Sequence, residues 1–150
     1  MIMKVRTMKL ELMQRAIELA KMSGNDIPVG ALILKDGKVI AEACNEREKN
    51  NDTSAHAEIV AIRKAGKKLN NWRLNNCEMY VTLEPCPMCA AAIIQSRISR
   101  LYFGAYDIVN GAFGSKFDIR HFFDSSLLVE GGFMEDENTK LLKDYFKDLR

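Results

Sequence analysis

The chain is poor in the residues that break or staple a backbone. Three prolines and nine glycines in 150 residues, with 47% apolar and 28% charged side chains, exclude a collagen-like, low-complexity or intrinsically disordered polymer. Long apolar runs are also missing. Val29 to Leu34 and Met88 to Ile94 are the longest, far below the roughly 18 residues that a membrane span requires. Lys4, Arg6, Lys9, Glu11, Arg15 and Glu18 interrupt the first twenty residues, so no signal-type stretch is expected and the expected compartment is the cytoplasm. Four cysteines in that setting read as reduced thiols, free for metal or catalysis, rather than as a disulfide framework. A strong excess of one charge is absent too. The net charge is +2, although residues 1–75 hold 14 basic against 9 acidic side chains and residues 76–150 hold 8 against 11. Arg63, Lys64, Lys67, Lys68 and Arg73 form a local basic cluster, which reads first as a solvated helix face and second as a track for phosphates.

What is present suits one domain over residues 1–150, with a core that removes roughly 68–70% of the unfolded chain's surface. Met13, Ile17 and Ala20, with Leu12, Ala16 and Leu19, give helical spacing to Met8–Met22. Val29 to Leu34 and Val39 to Ala43 flank Asp36-Gly37, a dipeptide suited to a hairpin turn. The polar stretch from Asn45 to Ser54 reads as a loop. A helix follows from Ala57, ending near Gly66 to Asn71, then a strand at Met79 to Leu83, a buried helix at Pro87 to Ser96 and a strand at Leu101 to Gly104. That alternation implies crossover connections and a partly parallel sheet. Ala105 to Ser115 is a glycine-containing loop, Leu127 to Glu130 a last strand, and Leu141, Leu142, Tyr145, Phe146 and Leu149 mark a terminal amphipathic helix, in which Tyr145 and Phe146 read as core contacts. The expected class is α/β in layers.

His56-Ala57-Glu58 opens one helix and Pro85-Cys86-Pro87-Met88-Cys89 opens another. The Cys-x-x-Cys spacing lets two thiolates grip one Zn²⁺, and His56 brings the protein ligands to three. Structural zinc sites usually take four protein ligands, whereas catalytic ones keep a position for water, so this set favours chemistry. Residues two apart on a helix do not share a face, so an ion at the helix tip can bind His56 while Glu58 sits nearby as a non-ligand. Pro87 fits a first helical turn and biases Cys86 toward extended geometry. Two helix N-termini then converge on the ion, and their positive ends favour thiolates. Two thiolates and a neutral imidazole leave Zn²⁺ formally uncharged, so its water is weakly acidified and a carboxylate must take the proton. Glu58 is the candidate, as base and then as acid. Mixed sulfur and nitrogen ligation favours zinc over iron. Two other readings stand beside this one: a structural zinc closed by Cys44, Cys77 or His121, and a metal-free redox dithiol. Cys44 and Cys77 otherwise read as small buried hydrophobes, and Glu84 as a structural carboxylate at a helix terminus or pocket wall.

His-x-Glu followed by Pro-Cys-x-x-Cys is the signature of zinc-dependent nucleobase deaminases, in the cytidine and deoxycytidylate deaminase superfamily. Ile27-Pro28-Val29-Gly30-Ala31, Ala55-His56-Ala57-Glu58, Thr82-Leu83-Glu84-Pro85-Cys86-Pro87-Met88-Cys89, Ser96-Arg97-Ile98 and Phe103-Gly104-Ala105-x-Asp107 closely resemble the bacterial tRNA-specific adenosine deaminase family, from about Leu10 to about Phe146. The resemblance implies a three-layer cytidine-deaminase-like fold, with a central mixed five-stranded sheet and helices on both faces. It implies hydrolytic deamination of the wobble adenosine in a tRNA anticodon stem-loop by a homodimer, with one zinc per subunit and no organic cofactor. It places the metal on His56, Cys86 and Cys89 and the proton shuttle on Glu58. Asn45 falls on a position that hydrogen-bonds the flipped base, Val29 and Ala57 on substrate-pocket positions, and Asp107 near the preceding nucleotide. Anticodon loops suit such an enzyme because their bases are already unpaired. The ending from Tyr145 to Arg150 is less basic than is usual in the family, with Asp144 and Asp148 opposing phosphate, and Tyr106 to Gly111 lacks the basic residue common there. Rival readings are a small-molecule deaminase for guanine, cytosine or a free nucleoside, and an RNA-binding module with a structural zinc.

Overall fold

The computed structural model describes residues 2–149. Helix α1 (Ile2–Ala20) leads into strands β1 (Gly30–Lys35) and β2 (Lys38–Cys44), followed by a single turn of helix α2 (Arg47–Asn50) and by α3 (Ala57–Leu69). Strand β3 (Cys77–Leu83), helix α4 (Pro87–Gln95), strand β4 (Arg100–Ala105), a 3₁₀ turn at Ile119–Phe122, strand β5 (Leu128–Glu130) and helix α5 (Glu135–Asp148) complete the chain. The strands form one sheet in the order β2-β1-β3-β4-β5. β1 is antiparallel to both neighbours, while β3–β4 and β4–β5 are parallel. The sheet is therefore mixed and five-stranded, as expected. β2 and β3, joined through α3, are separated by β1 rather than paired.

Strand residues alternate between two cores, as a period of two requires when both faces of a sheet are covered. Ala31, Ile33, Met79, Val81, Leu101 and Phe103 face the cluster that includes Ala61 and Ala65 of α3 and Ala90 and Ile93 of α4. Leu32, Leu34, Tyr80 and Tyr102 face Met13, Ala16 and Leu19 of α1, with Phe133 and Met134 against them. Tyr80 and Tyr102 stack with ring centroids 4.7 Å apart. Three layers result, with α3 and α4 on one side and α1 on the other.

The hairpin turn forms as the sequence predicts, with Asp36 at φ 52° and Gly37 at φ 76°, the paired positive values of a type I′ turn. Helix α1 begins at Ile2 rather than Met8, but its buried residues start only at Met13. Its first two turns thus carry exposed apolar side chains that contribute nothing to the apolar periodicity of a core face. The polar stretch read as a loop contains α2, anchored because both carboxylate oxygens of buried Asp26 accept the Glu48 N–H at 3.3 and 3.2 Å. Tyr145 and Phe146 are not core residues. The Tyr145 hydroxyl donates to the Asn25 carbonyl at 2.9 Å, and Phe146 is 47% exposed. Within the basic cluster, Arg63 pairs with Asp52 and Lys64 donates to the Glu42 carbonyl. β5 has only three residues, and among the described residues no helix is long and apolar enough to cross a membrane.

Candidate active site

His56 and Cys86 are the residues just before α3 and α4, both with extended backbone (φ −67°, ψ 155° and φ −71°, ψ 172°). Pro87 occupies the first position of α4, where its missing N–H costs nothing. The two helix N-termini therefore meet. His56 Nδ1 lies 3.6 Å from Cys86 Sγ and 3.4 Å from Cys89 Sγ. A tetrahedral zinc with Zn–S of about 2.3 Å and Zn–N of about 2.0 Å needs N···S separations of about 3.5 Å, so the three side chains fit that ion. Among the described residues they form the one His/Cys/Asp/Glu group with ligand atoms all within 4.8 Å. Cys44, Cys77 and His121 do not join it, which leaves a closed structural site without its fourth ligand. Cys77 is buried as expected, but Cys44 is only half-buried; burial pushes both thiols up.

Electrostatics at the helix tips favour deprotonation of one of the two sulfurs, that of Cys86. The Cys89 thiol hydrogen-bonds Cys86 and pulls the Cys86 thiol down to about 4, while the same bond pushes Cys89 up. Hydrogen bonding to Cys86 raises His56. Glu58 is 4% exposed and belongs to no ligand group. Burial pushes its carboxyl up to about 7, which poises it to gain and lose a proton near neutrality.

A cavity of about 180 Å³ opens over this centre, lined among others by Val29, Asn45, Glu58, Glu84 and Asp107. Asn45 is held at both ends: its amide donates to the Ile27 carbonyl at 2.9 Å and its oxygen accepts the Ala57 N–H at 2.7 Å. One further amide N–H remains free for a ligand. Ala57 is fully buried and acts through that backbone N–H rather than by lining the cavity. The Asp107 carboxylate accepts the N–H groups of Val109 and Asn110 at 3.0 and 3.1 Å, a local turn that fixes the mouth of the cavity. Sequence reasoning missed Asp26, Ile27, Arg47, Leu83 and Asn110 in the lining. Of the lining residues Arg47 alone is a lysine or arginine, and the turn that presents it gave no apolar periodicity to detect.

The loop after β4 is closely packed on Glu84. A Cβ on Gly111 would lie 2.5 Å from the Glu84 carboxyl carbon and closer still to the Asp107 carbonyl. Gly111→Ala is expected to cost about 1–3 kcal/mol and to lower the melting temperature accordingly, as measured by thermal unfolding of the zinc-loaded protein.

The site and fold define a class before they define a member. The family model for the cytidine and deoxycytidylate deaminase zinc-binding region matches residues 6–105. A tRNA-specific adenosine deaminase of Haemophilus influenzae (strain Rd) is 44% identical over 148 residues, covering 93% of this chain and 84% of the relative. A solved structure from studies of A-to-I editing by tRNA:A34 deaminases at the wobble position of transfer RNA superposes with a TM-score of 0.82 and 40% identity, covering 88% of this chain and 99% of that one. A guanine deaminase structure from Bacillus subtilis has 42% identity but covers 64% of this chain and 63% of its own, with a TM-score of 0.62. The chain belongs to the zinc-dependent cytidine and deoxycytidylate deaminase family and, within it, to the tRNA-specific adenosine deaminases.

Proposed function

We propose that this protein hydrolyses adenosine to inosine at the wobble position of a tRNA anticodon, with release of ammonia. The observation that carries the chemistry is a buried carboxylate, Glu58, two residues from His56 and outside the His56–Cys86–Cys89 group. Those three side chains hold one zinc ion, which supplies Lewis-acid activation of water. Glu58 accepts one proton of the attacking water and delivers it to N1 of the purine ring, then takes the proton of the new C6 hydroxyl and passes it to the amine, so that the C6–N bond breaks, the C6 carbonyl forms and ammonia leaves. Asn45, pinned to Ile27 and Ala57, presents its remaining amide N–H to the base, and Val29 packs against the ring. Asp107 stands at the mouth, toward the preceding nucleotide. The small volume admits one base at a time, which suits a nucleotide splayed out of a single-stranded loop.

The active species in this reading is a homodimer. Met88 on α4, Phe122 on the 3₁₀ turn and Trp72 just beyond α3 leave apolar side chains exposed, as a subunit contact through them would require. A comparison of anticodon stem-loop RNA with guanine, cytosine and free adenosine tests the substrate. Ammonia release and inosine formation are expected with the RNA. Turnover of guanine alone would transfer the assignment to the small-molecule deaminases.

A further inference from the structure

Glu84 is a charged side chain that the proton-transfer chemistry does not use, and it is 1% exposed. Its carboxylate is surrounded by donors. Oε1 accepts the Asp107 N–H at 3.1 Å and Oε2 accepts the N–H groups of Phe113 and Ser115, each at 3.1 Å; the Ser115 hydroxyl also bonds Oε1. The backbone on either side adds two more links, from Glu84 N–H to the Ala105 carbonyl and from Ala112 N–H to the Pro85 carbonyl, both 2.9 Å. Glu84 and Pro85 immediately precede Cys86. One short run of chain thus joins the metal-binding turn to the loop that carries Asp107 and Asn110.

We propose that Glu84 is a positioning residue whose carboxylate holds the loop from Asp107 to Ser115 at the mouth of the cavity and thereby sets the affinity for the RNA strand. The inference rests on the RNA-deaminase reading above. Its physical basis is the donor set: a backbone N–H can only donate, so each oxygen must accept. A glutamine of the same shape places an NH₂ against at least one of these N–H groups, and that loses a charge-assisted bond while adding a clash of donors.

The experiment compares wild type, Glu84→Gln and Asp107→Ala as zinc-loaded full-length proteins acting on an anticodon stem-loop, with hydrogen exchange of residues 107–115 as a second readout. For Glu84→Gln we expect one zinc per chain, amide exchange in that loop at least tenfold faster, KM raised at least tenfold and kcat changed by less than KM. The double variant with Asp107→Ala is expected to raise KM by less than the product of the single effects, because both act through one loop. Loss of zinc, a change confined to kcat, or unaltered exchange at Asp107, Phe113 and Ser115 would overturn the proposal. If wild type fails to deaminate the stem-loop, the substrate reading fails instead, while the exchange result still decides whether Glu84 holds the loop.

Discussion

Glu58→Gln is expected to keep one zinc per chain and the native fold while lowering kcat by about 10²–10⁴-fold, the usual contribution of a positioned acid–base group. Metal content by atomic absorption and turnover by ammonia release measure the two halves of this result. Loss of the ion would mean that Glu58 is a ligand and that the open-site chemistry is wrong. The same substitution has a stability signature. The folded-state carboxyl is raised to about 7 from an ordinary value of 4.5, so between those values the folded chain binds more protons than the unfolded one. Stability of the metal-free protein therefore falls as pH rises through that window. At about 1.36 kcal/mol per unit, the carboxylate costs about 3 kcal/mol above pH 7 and nothing below pH 4.5. Metal-free Glu58→Gln should melt above metal-free wild type at pH 8, and the gap should close by pH 4.5. A gap that does not change with pH would show that the fold does not raise this carboxyl.

Gly30→Ala is expected to be strongly destabilising. A Cβ there would lie 2.6 Å from the Ala20 nitrogen and closer to the Ala16 carbonyl oxygen. Both are backbone atoms of α1 and cannot swing aside, so the helix must leave the sheet. The expected cost lies at or above the top of the range for overpacking, about 3 kcal/mol, with a lower denaturant midpoint. Gly24→Ala is the control. Nothing lies within 4 Å of its Cβ, and only its φ of 62° is strained, at about 1 kcal/mol. The damage at Gly30 should also reach the cavity, because Val29 lines it and accepts the Asn45 N–H through its carbonyl at 3.1 Å. Equal effects at the two glycines would show that helix–strand contact is not what requires Gly30.

The residues that were legible in the sequence are those whose chemistry is local. Cys86, Pro87 and Cys89 announce a ligand pair at a helix start, Asp36-Gly37 a tight turn, and the apolar run from Val29 to Leu34 a strand. Glu58 could be assigned because two positions on one helix tip cannot both reach an ion. Contacts distant along the chain were not legible. Glu84 is bonded to residues 23 to 31 positions away, Gly30 is required by a helix that precedes it by ten residues, and Arg47 sits on a one-turn helix held by Asp26. The misreading of Tyr145 and Phe146 has the same origin, since helical spacing shows that a face is apolar without showing what it packs against.

The two borders of the sheet constrain how the molecule can grow. At one border only three residues of β5 are paired, too few peptide groups to template a further strand. At the other, charged Lys38 and Glu42 stand on β2, and Lys64 occupies the Glu42 carbonyl. Short or charged margins of this kind resist edge-to-edge polymerisation. Copies of this chain should therefore meet through side chains, never by fusing their ladders into one continuous ribbon.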